Sequence, residues 1–389
     1  MSITRPRGFR AVGLPAGIKS TGAPDLAVIV NDGPRDTAAA VFTANRVQAA
    51  PVLWSRQVVA DGRARAVILN SGGANACTGP EGFADTRRTA EHLAAELEVD
   101  AQDVLVCSTG LIGERLPMPP LLAGATTATA QLGAGTEADE TTARAIMTTD
   151  TVPKTAEATT PSGAVVGGIA KGAGMLAPQL ATMLVVLTTD ADVDAATADA
   201  ALRAATATTF DRVDSDACMS TNDTVILLAS GASGIAASLE ELSEAVRAVS
   251  ADLARQLVAD AEGASHDVHV VVRSATTEQA ALAVAREIAR ANLVTAAIFG
   301  NDPNWGRIVS AAGCVPEEVA PFAVEDLSVT VNGIEVCRGG GAHRDRSEVD
   351  MTPRETLIEV DLGAGTAAGD IWTNDLTHDY VEENSAYSS

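Results

Sequence analysis

The stretch "LAPQLATMLVVLTTD", Leu176–Asp190, joins a proline-marked loop, one threonine at position 182 and an apolar run that reads as a buried strand. Just upstream, Gly167, Gly168, Gly172 and Gly174 surround a single Lys171, which reads as a flexible loop delivering Thr182 to the mouth of that strand. A threonine hydroxyl is a weak nucleophile and needs an adjacent base. One arrangement needs no second side chain: if the chain is cut before the threonine, its freed α-amine becomes the base. Such an amine titrates near about 7.7–8.0, close to what a general base needs at neutral pH. Self-cleavage calls for a pliable or strained segment before the threonine and a rigid strand after it, and "MLVVL" supplies the strand. On these features alone, an ordinary threonine at the start of a strand is the simpler reading.

The rest of the composition bounds the setting. A chain of 389 residues, 46% apolar, has room for two or three domains, each with its own core. Aromatics are only 3%, so small aliphatic side chains must fill that core. A formal net charge of −24 argues against nucleic acid and anionic membranes as partners. Five scattered cysteines without a CxxC pair fit a reducing compartment better than a disulfide framework. No apolar run approaches the roughly 20 residues of a membrane helix. The early apolar segment is broken by Pro15 and Gly17, so the expectation is a cytoplasmic protein without a signal peptide.

Apolar residues recur at helical spacing in Thr86–Asp100, Ser238–Gly263 and Thr277–Leu293. Strand-like runs start at Leu26, Arg65, Asp103, Met183, Thr224 and Val268, several of them apolar throughout, as in strands covered on both faces. Later runs such as "LSVTVNG" and "LIEVDLG" alternate, as if one face met water. The order is neither a strict βαβ alternation nor all-β, which gives an α+β class with layered sheets and helices outside. A boundary in the region 274–300 divides residues 1–280 from a smaller α/β domain, 281–389. "TTPSGAVVGG", Thr159–Gly168, reads as a turn region, and no internal repeat is present.

Several chemistries fail on spacing. A P-loop needs Gly-Lys-Ser/Thr opening a helix, whereas Lys171 is followed by Gly172, a loop and a strand. "CSTGLIG", Cys107–Gly113, lacks the dinucleotide fingerprint. His266 and His269 would lie on opposite faces of a strand and read as partly exposed polar residues, so no metal is expected. There is no G-x-S-x-G elbow. "NSGGANACTG", Asn70–Gly79, is a loop at a strand end, where ligand-binding groups often sit. "CSTGLIG" does allow a hydroxyl and backbone N–H groups to converge, as an oxyanion hole requires.

The stretch "KGAGMLAPQLATML", Lys171–Leu184, resembles the self-processing site of the ornithine acetyltransferases, the glutamate N-acetyltransferase or ArgJ family of arginine biosynthesis. "AVILNSGGANACTGPEG", "CSTGLIGERLPM", "RAIMTTDTVPK", "STNDTV", "DAEGA", "FGNDPNWGR" and "DLTHDYVEENSAYSS" follow that family's order over nearly the whole chain. The resemblance implies cleavage between Ala181 and Thr182, giving an α chain (1–181) and a β chain (182–389). It implies a layered α/β/β/α sandwich like that of certain self-cleaving aminopeptidases, with a C-terminal domain whose tail completes the substrate site. Thr182 would take the acetyl group from N-acetylornithine, its α-amine acting as base and Thr109 and Gly110 holding the oxyanion. Glutamate would then receive the acetyl, by a ping-pong route.

Thr148, Lys171, Thr182, Glu262, Asn384 and Ser389 match the family's substrate-contact positions. Lys171 suits a substrate α-carboxylate, and Glu262 suits the distal ammonium of ornithine. The resemblance implies no cofactor, leaves acetyl-CoA open as an alternative donor, and implies a heterotetramer of two α and two β chains. After "DAEGA" the family commonly continues Thr-Lys, whereas this chain has Ser265-His266, which removes a fixed positive charge or makes it pH-dependent. Two rivals remain: a self-processed amidase or aminopeptidase passing the acyl group to water, and a binding or scaffolding protein that is never cut.

Overall fold

The computed structural model describes residues 2–177 and 183–386, so Ala181, Thr182 and Ser389 lie outside the described residues. The chain divides into two units, Met1–Asp211 with Cys218–Asp260, and Arg212–Ala217 with Ala261–Ser388.

In the first unit, β1 (Phe9–Leu14), β2 (Leu26–Asn31), β4 (Ala66–Asn70) and β5 (Val104–Ser108) form one sheet in the order β1-β2-β4-β5. A second sheet runs β3 (Thr37–Phe42), β9 (Thr224–Ala229), β8 (Leu184–Thr189), β7 (Val165–Lys171), β6 (Lys154–Thr159). Helices α1 (Ala50–Val58), α2 (Gly79–Leu97), α3 (Met118–Gln131) and α4 (Thr136–Ala145) pack on the first sheet. Helices α5 (Ala195–Ala207) and α6 (Leu239–Ala259) pack on the second. The two sheets share one core, in which Val28, Ile29 and Ile68 join Val186, Ile226 and Leu228. The layer order is therefore α/β/β/α. Strands β2, β8 and β9 are buried at every residue, which explains their continuous apolar runs.

Local chemistry sets the element ends. Ser238 and Glu241 form a reciprocal capping box that starts α6 where the sequence predicts. Helix α2 begins at Gly79, ahead of the expected Thr86, because Pro80 occupies the first turn, where no backbone donor is needed.

The expected glycine loop is corrected. Gly167 and Gly168 are interior residues of β7, and Lys171 is its last residue. Their smallness serves close approach: a Cβ on Gly167 would lie 1.9 Å from the Ser2 carbonyl oxygen, and one on Gly168 would lie 2.7 Å from the tip of Leu187. Gly167→Ala is therefore expected to destabilise by about 3 kcal/mol, since a backbone must move. Gly168→Ala should cost less, because side-chain tips can yield. Denaturant unfolding of the two variants checks the order.

The second unit is built on a six-stranded sheet of β10 (Asp267–Ala275), β11 (Ser328–Val331), β12 (Ile334–Arg338), β13 (Gly341–Ala342), β14 (Glu355–Asp361) and β15 (Ala367–Asn374). Their order is β13-β12-β11-β14-β10-β15. Helix α7 (Glu278–Arg290) covers β10 and β15, followed by α8 (Asn292–Phe299), α9 (Trp305–Ala312) and the terminal α10 (His378–Ala386). Strand β14 alternates buried Thr356, Ile358 and Val360 with more exposed neighbours, as its sequence predicts. The division falls after Asp260 and not at 280/281, because β10 is held between β14 and β15 and cannot belong to the first unit.

Candidate active site

In the first unit the carboxyl ends of β4, β5 and β7 meet the amino ends of β8 and β9. The parallel β4/β5 pair puts Asn70 opposite Ser108. Ser108 Oγ donates to Asn70 Oδ1 at 2.6 Å, and Asn70 Nδ2 donates to the Gly73 carbonyl at 2.9 Å. The backbone of Thr109 is pinned on both sides, its N–H donating to Asn70 O and its carbonyl accepting from Gly73 N–H. Gly110 follows with φ +127°, and a Cβ there would lie 2.8 Å from Gly73 N, so this turn requires glycine. The loop "NSGGANACTG" thus acts as the backing of the "CSTG" turn.

Thr109 and Lys171, both predicted from sequence, come together. Thr109 is 2% exposed and Lys171 1%, and Lys171 Nζ donates to Thr109 Oγ1 at 3.2 Å. A hydroxyl that accepts from an ammonium keeps its own hydrogen for another acceptor. No described residue accepts from the Gly110 N–H. The turn therefore presents an O–H and an N–H, a donor pair suited to developing negative charge. Cys107, at the same strand end, is no competing nucleophile, because burial pushes its thiol up to about 12.

Two residues that sequence reading missed hold this end together. Asn222, in the quoted "STNDTV", donates through Nδ2 to Ala74 O at 2.7 Å and Ser108 O at 2.8 Å, tying the lead-in of β9 to the loops of the other sheet. Asp150 accepts from the Gly172 N–H at 2.7 Å, from Lys154 Nζ at 2.6 Å and from the Thr148 N–H at 3.0 Å. It thereby fixes the backbone of half-buried Thr148 and the segment just after Lys171. Lys154 also donates to Asp260 Oδ2 at 2.5 Å.

Burial alone would raise the Asp150 carboxyl. The charges of Lys171 and Lys154 and the hydrogen bonds from Gly172 and Lys154 outweigh it and hold the group at about 2. That lies below the ordinary aspartate value of about 3.9. This carboxylate therefore stabilises the fold above about pH 4, and the contribution is lost as pH falls through about 2. The thermal midpoint should fall steeply between those values, and Asp150→Asn should show a shallower slope in that window, read by circular dichroism melts.

In the second unit, Asn384 Nδ2 donates to Glu262 Oε2 at 2.9 Å, bringing these two predicted residues together. Gly263 makes this possible. It has φ +60°, and a Cβ there would lie 2.2 Å from Tyr380 N at the start of α10. Thr377 Oγ1 donates to the Gly263 carbonyl at 2.7 Å and accepts from Tyr380 N–H at 3.0 Å.

His266 is buried, contrary to the expected partial exposure. Its Nδ1 lies 2.9 Å from Asp375 Oδ2 and its Nε2 lies 3.2 Å from the Met351 carbonyl. His269 stacks on Trp372 at 4.1 Å and meets Asp370. No group of three metal-ligating side chains occurs among the described residues, and none of their helices is long and apolar enough to cross a membrane.

Comparison with known proteins adds independent findings. The ArgJ family model matches residues 10–389. The arginine biosynthesis bifunctional protein ArgJ of Streptomyces avermitilis is 60% identical, with 100% of each chain covered. Its counterpart of that name in Bifidobacterium longum is 57% identical, again over 100% of both chains. A crystal structure of ornithine acetyltransferase complexed with ornithine, from Mycobacterium tuberculosis, is 55% identical over 47% of this chain and 96% of that one, with a TM-score of 0.45. Matched by the family model over nearly its whole length, and by relatives from end to end, the chain belongs to the ArgJ family.

Proposed function

We propose that the protein is an ornithine acetyltransferase of arginine biosynthesis that activates itself by cleavage between Ala181 and Thr182. The observation that carries the chemistry is the Thr109–Gly110 donor pair beside Lys171, at the strand ends where Met183 leads into β8. The hydroxyl of Thr182 attacks the acetyl carbonyl of N-acetylornithine while the Thr182 α-amine takes its proton. The oxyanion meets the Thr109 O–H and the Gly110 N–H. As the tetrahedral intermediate collapses, the C–N bond breaks and the α-amine returns the proton to the departing ornithine nitrogen. The amino group of glutamate then attacks the acetyl-threonine ester, giving N-acetylglutamate and restoring the hydroxyl. Thr148, Lys171, Glu262, Asn384 and Ser389 are the residues proposed to bind substrate.

The name "bifunctional" borne by the relatives supports acetyl-CoA as a second donor for glutamate. The acting form is proposed as a cytoplasmic heterotetramer of two α and two β chains, without a cofactor. An assay of purified protein with N-acetylornithine, with and without glutamate, tests the reading. Ornithine release should rise at least tenfold when glutamate is added, with stoichiometric N-acetylglutamate. Equal release in its absence would make the protein an amidase.

A further inference from the structure

Of the 27 lysine and arginine residues in the chain only three are lysines, Lys19, Lys154 and Lys171. All three lie within the reach of Asp150. Lys154 and Lys171 are buried and hold its carboxyl down, and its charge also acts on half-buried Lys19. Lys154 and Lys171 belong to the network around Gly172 and Thr109, whereas Lys19 reaches a different group.

Lys19 lies in the loop between β1 and β2. The buried Asp25 carboxylate winds that loop, accepting from the N–H groups of Ala16 at 2.6 Å, Ile18 at 2.7 Å and Lys19 at 2.8 Å. Ser71 fastens the loop to the segment ahead of Thr148. Its N–H donates to the Asp25 carbonyl at 3.0 Å and its hydroxyl to the Ala145 carbonyl at 2.7 Å. So placed, Lys19 Nζ donates to the Met147 carbonyl at 2.7 Å and to the Pro24 carbonyl at 3.2 Å. The same peptide group is held from its other side, because the Thr148 N–H donates to Asp150 Oδ2 at 3.0 Å. A peptide unit is planar, so fixing its oxygen and its N–H fixes the plane from which Thr148 projects. Each end meets the charge that suits it, and charge-assisted hydrogen bonds of this kind are about twice as strong as neutral ones.

We propose that Lys19 is a positioning residue for substrate binding, which with Asp150 clamps the Met147–Thr148 peptide and so sets the place of the Thr148 side chain. This rests on the reading of Thr148 as a substrate contact. Lys19 makes no hydrogen bond to Thr109 or Gly110, so the clamp acts on binding more than on the chemical step. Binding and clamp are reciprocal: if the clamp favours substrate, substrate favours the closed clamp by the same factor.

The test compares full-length wild type with Lys19→Met and Lys19→Arg. Wild-type acetyl transfer comes first, because an inactive wild type overturns the reading of the site and the clamp with it. With transfer established, Lys19→Met should raise KM for N-acetylornithine about tenfold, as for one lost hydrogen bond to a charged group, while kcat changes by less than about twofold. Lys19→Arg, which keeps a fixed charge and donors for a carbonyl, should return KM to within about threefold of wild type. An unchanged KM in Lys19→Met, or a loss confined to kcat, would overturn the clamp alone. If that variant does not fold, labelling of the wild type decides. Partial burial lowers the Lys19 ammonium below the ordinary lysine value, against the charges of Asp25 and Asp150, which leaves a free amine for an acylating reagent. Trace acetic anhydride, read by peptide mass, reports on Lys19 separately, since the other two lysines are buried. Saturating N-acetylglutamate, which has no amine of its own, should slow Lys19 labelling by about fivefold or more. An unchanged rate would overturn the proposal.

Discussion

Thr182→Ala should leave a single uncut chain of 39.6 kDa and reduce acetyl transfer by about 10⁴-fold or more. Both effects follow from one atom. In the proposed mechanism the hydroxyl that attacks the acetyl carbonyl also attacks the Ala181 carbonyl, so the variant loses nucleophile and base together. Without cleavage the Thr182 nitrogen remains an amide, which cannot accept a proton at neutral pH. Thr182→Ser keeps a hydroxyl and should still be cut, with activity between the two. Intact mass and N-acetylornithine turnover read these outcomes independently. A Thr182→Ala chain that is uncut yet active would require another nucleophile, and Cys107 is not available, being buried with its thiol pushed up to about 12.

The elements were legible wherever a local pattern caused them. The runs at Met183 and Thr224 are apolar because β8 and β9 are covered on both faces, and the Ser238–Glu241 box marks α6 directly. The turn after β5 falls where the sequence places it, whereas the meeting of Thr109 with Lys171, 62 residues on, is not readable in one dimension. The error at Gly167 and Gly168 has a distant cause. What excludes side chains there is the Ser2 carbonyl on one side and Leu187, Val249 and Leu253 on the other, none of them local enough to read. Asp150, Asp223 and Asp375 were missed for a related reason. One-dimensional sequence shows a carboxylate but not its burial or its partners, and Asp375 meets His266 across 109 residues of chain.

Two of these carboxylates divide the electrostatics of the first unit. Asp150 and Asp223 are both desolvated, yet they are displaced in opposite directions. Asp150 lies among two ammonium groups and the Gly172 N–H, so it stays ionised down to about pH 2. For Asp223, the Met183 N–H, the nearby Ser220 hydroxyl and the charge of Lys171 do not offset burial, so its carboxyl lies well above the usual range. The contrast separates them: Asp150 is a counter-charge that keeps Lys154 and Lys171 tolerable in the interior, whereas burial dominates at Asp223.

Lys171→Met should lower kcat/KM for N-acetylornithine and glutamate by about 10²–10³-fold, the effect expected when a buried charge loses its partner. Methionine nearly matches the length of lysine and suits the apolar surroundings, so a packing defect should contribute little. Two losses combine. The substrate α-carboxylate would enter the site without a cation, which raises KM. Thr109 Oγ1 would lose the ammonium hydrogen bond that orients its hydroxyl, which lowers kcat. The two can be separated with N-acetyl-1,4-diaminobutane, a donor that lacks the α-carboxylate. Wild type should use this donor poorly, and Lys171→Met should use it with nearly the same KM as wild type, retaining only the kcat deficit. If both donors suffer equally in KM, Lys171 is not the carboxylate receptor. Its contribution is then confined to Thr109 and Asp150, and the acid limb of thermal stability should move upward in the variant as Asp150 loses one of its two cations.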